Sequence, residues 1–596
     1  MSDYVAPLKD MQFVLKELAG LDELAKLPGC EEVSADLVDQ ILEESGKFCA
    51  EVLSPLNQSG DAEGSKWDQG KVTTPKGFIA AYKQFVEGGW NALQFPPEFG
   101  GQGLPKLVAT PVMEMWKASN MSFSLCPLLT GGAIEALLLS GSDRLKQTFL
   151  PRMVEGSWTG TMNLTEPQAG SDLALVKAKA VPEGEHYRIS GQKIFITYGE
   201  HDLAENIVHL VLARTPNAPE GVKGISLFVV PKFLVNADGS LGKRNDVHCA
   251  SIEHKLGIHA SPTAVLIFGE KEGAIGYLVG EENKGLAYMF IMMNAARFAV
   301  GLEGVAISDR AYQLALAYAK ERIQSRDLAG GAKAVSIIHH PDVRRMLMSM
   351  KAYSEAMRAL AYVTAAAMDY AHSDPDKAVR ARHQAFADMM IPVVKGWSTE
   401  TGIEVASTGI QVHGGVGYVE ETGAAQLLRD ARITTIYEGT TAIQANDLVG
   451  RKMAREGGAT ANEVIKAMRA VEAELAKTQG EDLTAIRTGL AAGIKAVEDC
   501  VDWIVATYAT DIKAVHAGSV PFLKLMGIVC GGWQMARAAL VAQKRLAAGD
   551  GDAAFYQAKI ATARFYAEHI LTQAPGLCNT VVGGATGVMA LSEEQF

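Results

Sequence analysis

Cysteine is scarce and spaced for neither of its structural uses. Seven residues (Cys30, Cys49, Cys126, Cys249, Cys500, Cys530 and Cys578) fall singly over 596 positions and never as CxxC. Neither a disulfide framework nor a cysteine zinc site is expected, and a reducing compartment fits. Positive charge is also in deficit: 56 Lys and Arg against 68 Asp and Glu leave a net charge of −12. Nucleic acid is therefore not the expected partner, because phosphate backbones are held by Lys and Arg. No uninterrupted apolar run of about 18 residues occurs, the length a membrane span needs. The start, MSDYVAPLKDMQFVL, has neither the basic and apolar regions of an export signal nor the Arg-rich character of a transit peptide. A cytoplasmic chain without a membrane partner is the expectation.

What is present is an ordinary globular composition, 48% hydrophobic and 21% charged, in a chain too long for one core. Apolar residues recur at helical spacing from residue 10 to about 155, as in DLVDQILEESGKFCAEVL. The texture then changes to short Val/Ile/Phe/Thr runs bounded by Gly and Pro: HYRISGQKIFIT, NIVHLVLAR, GISLFVVP, VHCASIEHKLG, TAVLIFGE and AIGYLVG. Such runs without helical pattern between them indicate an antiparallel β domain. Helical periodicity returns with KGLAYMFIMMNAARFAVGLEGVAISDRAYQLALAYAKERI and persists to the end. The reading is mainly α with a central antiparallel β domain: an N-terminal helical segment at 1–156, β at 157–282, helical at 283–450, and an additional helical segment at 451–596. That last segment carries 15 basic and 15 acidic residues, so it is no basic tail, and packing on the rest or on a second subunit is expected.

Four stretches could carry chemistry. TMNLTEPQAGSDL (161–173) puts hydroxyls and a turn where the helical pattern meets the β pattern. It reads either as a capped junction or as a surface that hydrogen-bonds a polar ring or phosphate. Ser171 has no GxSxG elbow around it. QVHGGVGYVEETG (411–423) is glycine-rich without the GxGxxG spacing or a preceding strand, which excludes a Rossmann reading. His413 and the pair His339–His340 lack metal-ligand spacing, and no metal is expected. In ARITTIYEGTTAIQ (431–444) the carboxylate of Glu438 is either a charge that favours the following helix start or a base in an apolar pocket.

TEPQAGSD, KIFIT, HGGVGY and IYEGTTAIQ, in this order and spacing, resemble the acyl-CoA dehydrogenase family over roughly residues 40–450. The opening YVAPLKDMQFVL and the added C-terminal segment look like the long bacterial subgroup that includes 3-methylmercaptopropionyl-CoA dehydrogenases. The resemblance implies an α/β/α fold, an FAD cofactor, and α,β-dehydrogenation of a short acyl-CoA such as 3-methylthiopropanoyl-CoA. Electrons would leave to an electron-transfer flavoprotein. A straight-chain acyl-CoA dehydrogenase, an acyl-CoA oxidase and a nucleic-acid-binding relative are the alternatives.

The same resemblance makes Glu438 the base. It places FAD against Met162, Leu164, Thr165, Ser171, Phe195, Ile196 and Thr197. It adds Arg322, Gln324, Gln411, Gly414, Gly415, Thr440 and Thr441, with Arg322 and Gln324 reaching a neighbouring subunit's pyrophosphate and so implying a homodimer. The acyl-CoA would meet Ser171, Asn294, Arg297 and Gly439. Many relatives have Trp where this chain has Phe195, so a stacking surface is expected without its indole N–H.

Overall fold

The computed structural model describes residues 4–596. The expected order of helical, β and helical segments is what it shows. The chain divides into two compact units, one of residues 48–104 and 119–299, the other of residues 1–47, 105–118 and 300–596.

The first unit is built on an eight-stranded sheet: β1 (Trp158–Asn163), β2 (Lys179–Glu183), β3 (His186–Thr197), β4 (Asn206–Ala213), β5 (Ser226–Pro231), β6 (Val247–Ile252), β7 (Thr263–Phe268) and β8 (Ala274–Val279). The order is β6-β7-β3-β8-β5-β4-β1, with β2 beside β3. NIVHLVLA and SLFVVP are buried at every position, which is why they read as continuous apolar runs rather than alternating ones. Two strands, β1 and β2, were not among the runs expected from sequence. WTGTMN has few large apolar residues, yet it pairs with β4, and in parallel rather than antiparallel register. Its Thr159 and Thr161 hydroxyls meet the buried rings of His201 and His209 at 2.9 and 2.7 Å. Burial pushes both imidazoles down to about 3, so they are neutral fixtures of the core rather than acid–base groups.

The second unit is helical. Three of its long helices are Pro341–Ser373, Lys377–His413 and Ser519–Ala548. The N-terminal and C-terminal segments meet at Asp10, which accepts from Arg358 at 2.6 Å; Arg358 also donates to Glu114 at 2.9 and 2.6 Å. Lys559, from the C-terminal segment, bonds Asp10 and reaches Glu355 at 2.9 Å. The segment after residue 450 thus packs into the helical unit, as expected. Removing one member of such a buried set leaves a charge without its counterion.

The expectation about apolar runs needs correction. Met121–Ser140, Gly285–Glu321 and Ser519–Ala548 are long and apolar enough to cross a membrane by length and composition. Interspersed Ser, Thr and Gly hide them from a count of uninterrupted apolar residues. Most of each apolar window is buried inside the protein, up to 89% for the last, so this surface is used in packing.

Candidate active site

The β unit carries the first group of expected residues. β3 pairs with β7 through Ala264↔Ile196 and Leu266↔Lys193, so Ile194 and Phe195 together oppose Val265 alone. This is a β-bulge, which re-aims a side chain at the cost of ladder bonds. Phe195 takes the left-handed conformation (φ +59°), and the residue is 60% exposed. Its neighbour Ile194 turns its N–H from the ladder to Thr165 O at 2.9 Å. That bond sets Leu164 and Thr165 beside Phe195, Ile196 and Thr197. Met162 and Thr165 are half-buried, Leu164 and Ile196 buried, and Thr197 half-buried. An exposed aromatic face flanked by hydroxyls is a surface suited to a planar polar ring.

Sequence reasoning missed what fixes this corner. Lys193, fully buried, donates to Leu164 O at 2.9 Å and to Glu166 at 2.8 Å. Glu166 also accepts from the N–H groups of Lys177 (2.8 Å) and Ala178 (3.0 Å). Burial alone would raise the Glu166 carboxyl, but Lys193 and the two N–H groups outweigh it and hold it below the ordinary range. Burial brings Lys193 down to about 8, so at neutral pH the pair is charged on both sides. Ser171 is exposed on the turn that follows the Glu166–Ala169 bridge. Asn294 and Arg297 lie one turn apart on Gly285–Glu321, Asn294 exposed and Arg297 buried, which puts them on one face of that helix.

The helical unit carries the rest. Arg322 and Gln324 are exposed on the hairpin of Ile323–Arg326 and Ala334–Ser336. Gln411, Gly414 and Gly415 are exposed where Lys377–His413 ends. Tyr318 stacks on His413 with ring centroids 4.6 Å apart, and the Arg322 N–H bonds Tyr318 O at 2.8 Å. These contacts bring the two exposed groups to neighbouring helix ends. Gly414 has φ +64°, and a Cβ on Gly414 or Gly415 would meet nothing within 4 Å. An open glycine backbone beside an arginine suits a phosphate group.

The base candidate stands on a strained loop. Glu438 is half-buried with φ +54°, followed by Gly439 at φ +86°. A non-glycine residue there costs about 1–2 kcal/mol, and its surroundings hold it. Lys395, fully buried, donates to Gly439 O at 2.6 Å. Gln444 Nε2 donates to Glu438 O at 3.1 Å and Gly439 O at 3.3 Å. Tyr437 donates its hydroxyl to buried Glu303. The Thr440 hydroxyl accepts from the Ile443 N–H at 3.3 Å and caps Thr441–Asp447, and Thr441 is buried and donates to Glu400. The helix start thus has its cap from Thr440. Lys395, Gln444 and Glu303 were not anticipated. Lys395 and Glu303 are lone charges in apolar runs (IPVVKGW, AVGLEGV), a signal that could have found them.

Comparison with known proteins follows the same lines. Profiles for the N-terminal, middle and C-terminal domains of acyl-CoA dehydrogenase match residues 38–157, 161–270 and 283–453. An "Acetyl-CoA dehydrogenase C-terminal like" profile matches 463–592. A 3-methylmercaptopropionyl-CoA dehydrogenase of Ruegeria pomeroyi is 53% identical over 572 residues, covering 96% of each chain. A butyryl-CoA dehydrogenase of Syntrophomonas wolfei is 35% identical over 619 residues, covering 100% of this chain and 99% of its own. The fold matches an acyl-CoA dehydrogenase complexed with FAD from Bacillus anthracis at a TM-score of 0.73, with 21% identity, 96% of this chain and 91% of that one. The chain belongs to the acyl-CoA dehydrogenase family and is an FAD-dependent oxidoreductase of acyl-CoA thioesters.

Proposed function

We propose that the protein dehydrogenates 3-methylthiopropanoyl-CoA to 3-methylthioacryloyl-CoA, with Glu438 as the base. The substrate assignment is carried by the 53% identity over nearly the whole chain to the Ruegeria enzyme of that name. The role of Glu438 is supported by its left-handed backbone, held by buried donors on the following carbonyls. Strain of this kind persists where the surroundings over-determine it, and it clusters at functional positions.

The Glu438 carboxylate takes the α-proton, and its own N–H donates to the thioester oxygen as negative charge develops there. Gly439 gives the thioester room beside the base. When bound, FAD supplies the acceptor for the β-hydride. Met162, Leu164, Thr165, Phe195, Ile196 and Thr197 would hold the ring system, with the Thr165 and Thr197 hydroxyls as donors and Phe195 as an apolar surface. Ser171, Asn294 and Arg297 bind the CoA thioester, Arg297 as the charge that meets it. Arg322 and Gln324, with Gln411, Gly414 and Gly415 alongside, receive the pyrophosphate across a homodimer. Thr440 and Thr441 complete the flavin side of the base loop. A cytoplasmic electron-transfer flavoprotein takes the electrons onward.

Anaerobic bleaching of the yellow protein by a panel of acyl-CoAs tests this reading. The fastest reduction is expected with 3-methylthiopropanoyl-CoA, ahead of hexanoyl and longer chains. Equal rates across chain length would defeat the short-substrate assignment. Steady peroxide formation without an added acceptor would replace the flavoprotein acceptor by dioxygen.

A further inference from the structure

Beneath the base loop lies a group of buried charges that the reaction as described does not use. Glu303, on Gly285–Glu321, is fully buried; one carboxylate oxygen receives the Tyr437 hydroxyl and the other, Oε1, has no hydrogen-bond partner among the described residues. Lys117, from Lys106–Ser119, is 2% exposed and its charge acts on Glu303. Lys395, from Lys377–His413, donates to Gly439 O and also acts on Glu303. The third charge acting on it is Glu438, the residue next to Tyr437. Asp430 acts on the tyrosine itself. A carboxylate with a spare buried oxygen, tied by one hydroxyl to the residue beside the base, is poorly explained as a stability device. Leaving a buried polar atom unpaired destabilises the fold.

We infer that Glu303 is a positioning residue for the base: through Tyr437 it anchors the loop that carries Glu438, and its charge adjusts the proton affinity of Glu438. The inference rests on Glu438 being the base. Burial pushes the Glu303 carboxyl up, the two lysines and Tyr437 pull it back, and Glu438 pushes it up again, to about 7 overall. The group therefore changes charge in the neutral range. Where Glu303 is ionised, Glu438 next to it binds a proton more tightly and is the stronger base. Where Glu303 is protonated, that help is withdrawn.

Infrared difference titration of the FAD-loaded full-length protein across the neutral range reads both carboxyls directly, independent of turnover. In Glu438→Gln one carboxylic acid band should vanish, and the Glu303 midpoint should fall by about one pH unit because a like charge has gone. Coupling is reciprocal, so Glu303→Gln should lower the Glu438 midpoint by the same amount. The acid limb of the flavin-bleaching rate should move with it. Glu303→Asp, which keeps the charge, should restore most of the shift. A Glu303 midpoint identical in wild type and Glu438→Gln would overturn the inference, and that arm does not require any Glu303 variant to fold. Equal displacement by Gln and Asp at position 303 would also overturn it, by pointing to side-chain volume instead of charge. If Glu438→Gln bleaches like wild type, the base assignment itself has failed, and the infrared midpoints show separately whether the two carboxyls interact.

Discussion

The β unit and the helical unit each hold a candidate site loop with a buried lysine that donates to a main-chain carbonyl, Lys193 to Leu164 at 2.9 Å and Lys395 to Gly439 at 2.6 Å. The carboxylates associated with the two lysines differ. Glu166 has both oxygens occupied by Lys193 and by N–H groups, and stays ionised far below neutrality. Glu303 has one oxygen without a hydrogen-bond partner among the described residues and sits near neutrality. A fully satisfied network rigidifies, whereas a partly satisfied one retains a proton equilibrium. The β unit therefore presents a fixed surface, and the helical unit presents a proposed base whose surroundings titrate.

The sharpest way to break this contrast is at the base. Glu438→Gln should lower the rate of anaerobic bleaching by about a thousandfold, the scale of a lost general base, while the yellow FAD spectrum remains. A variant that bleaches normally would remove the distinction between a reactive loop and a holding surface. Next in size is the clamp of the β unit. Lys193→Met leaves Glu166 as a buried charge without its partner, which should cost about 3–5 kcal/mol and appear as a lower thermal midpoint with loss of FAD on gel filtration. Adding Glu166→Gln should recover part of the loss. If Lys193→Met alone is silent, the β-unit corner is held by the Phe195 bulge and not by the ion pair.

The two loops were unequally legible in the sequence. IYEGTTAIQ and TEPQAGSD drew notice for local chemistry, a carboxylate, a glycine, hydroxyls and a turn, and the order of the four motifs then chose between their alternative readings. The groups that hold them were not announced, because each partner is remote in sequence. Lys193 meets Glu166 27 residues away, and Tyr437 meets Glu303 134 residues away. The helical and β segments followed from periodicity, but β1 did not. Its alternating small and hydroxyl residues earn their burial by bonding His201 and His209, a tertiary arrangement that no local pattern encodes. The resemblance singled out Phe195 as a stacking surface, but only the register of β3 against β7 shows that the chain bulges there.

A smaller effect is expected from Gly439→Ala. The residue has φ +86°, and a Cβ would stand 2.7 Å from Gln444 Nε2, so the change combines about 1–2 kcal/mol of backbone cost with displacement of the side chain that holds Glu438 O. Bleaching should slow by roughly tenfold, the equivalent of about 1.4 kcal/mol, with FAD content unchanged. Loss of FAD in this variant would mean that the base loop, and not the β unit, is the main holder of the cofactor.

The smallest change is Thr440→Ala. Its hydroxyl caps the seven-residue helix Thr441–Asp447, and loss of an N-cap costs about 1 kcal/mol. A hydroxyl oxygen that accepts from the Ile443 N–H still has a proton to donate, so the cap and a flavin contact are compatible in one side chain. The two contributions separate by comparing FAD-free and FAD-loaded protein. If Thr440 serves only as a cap, alanine lowers the thermal midpoint equally in both forms and serine restores both. If it also donates to the flavin, the loaded form loses more than the free form, because the ligand's share of the stability falls with its affinity. An equal loss would confine cofactor holding on this loop to residues other than Thr440, and so widen the division of labour between the fixed β surface and the loop of the base.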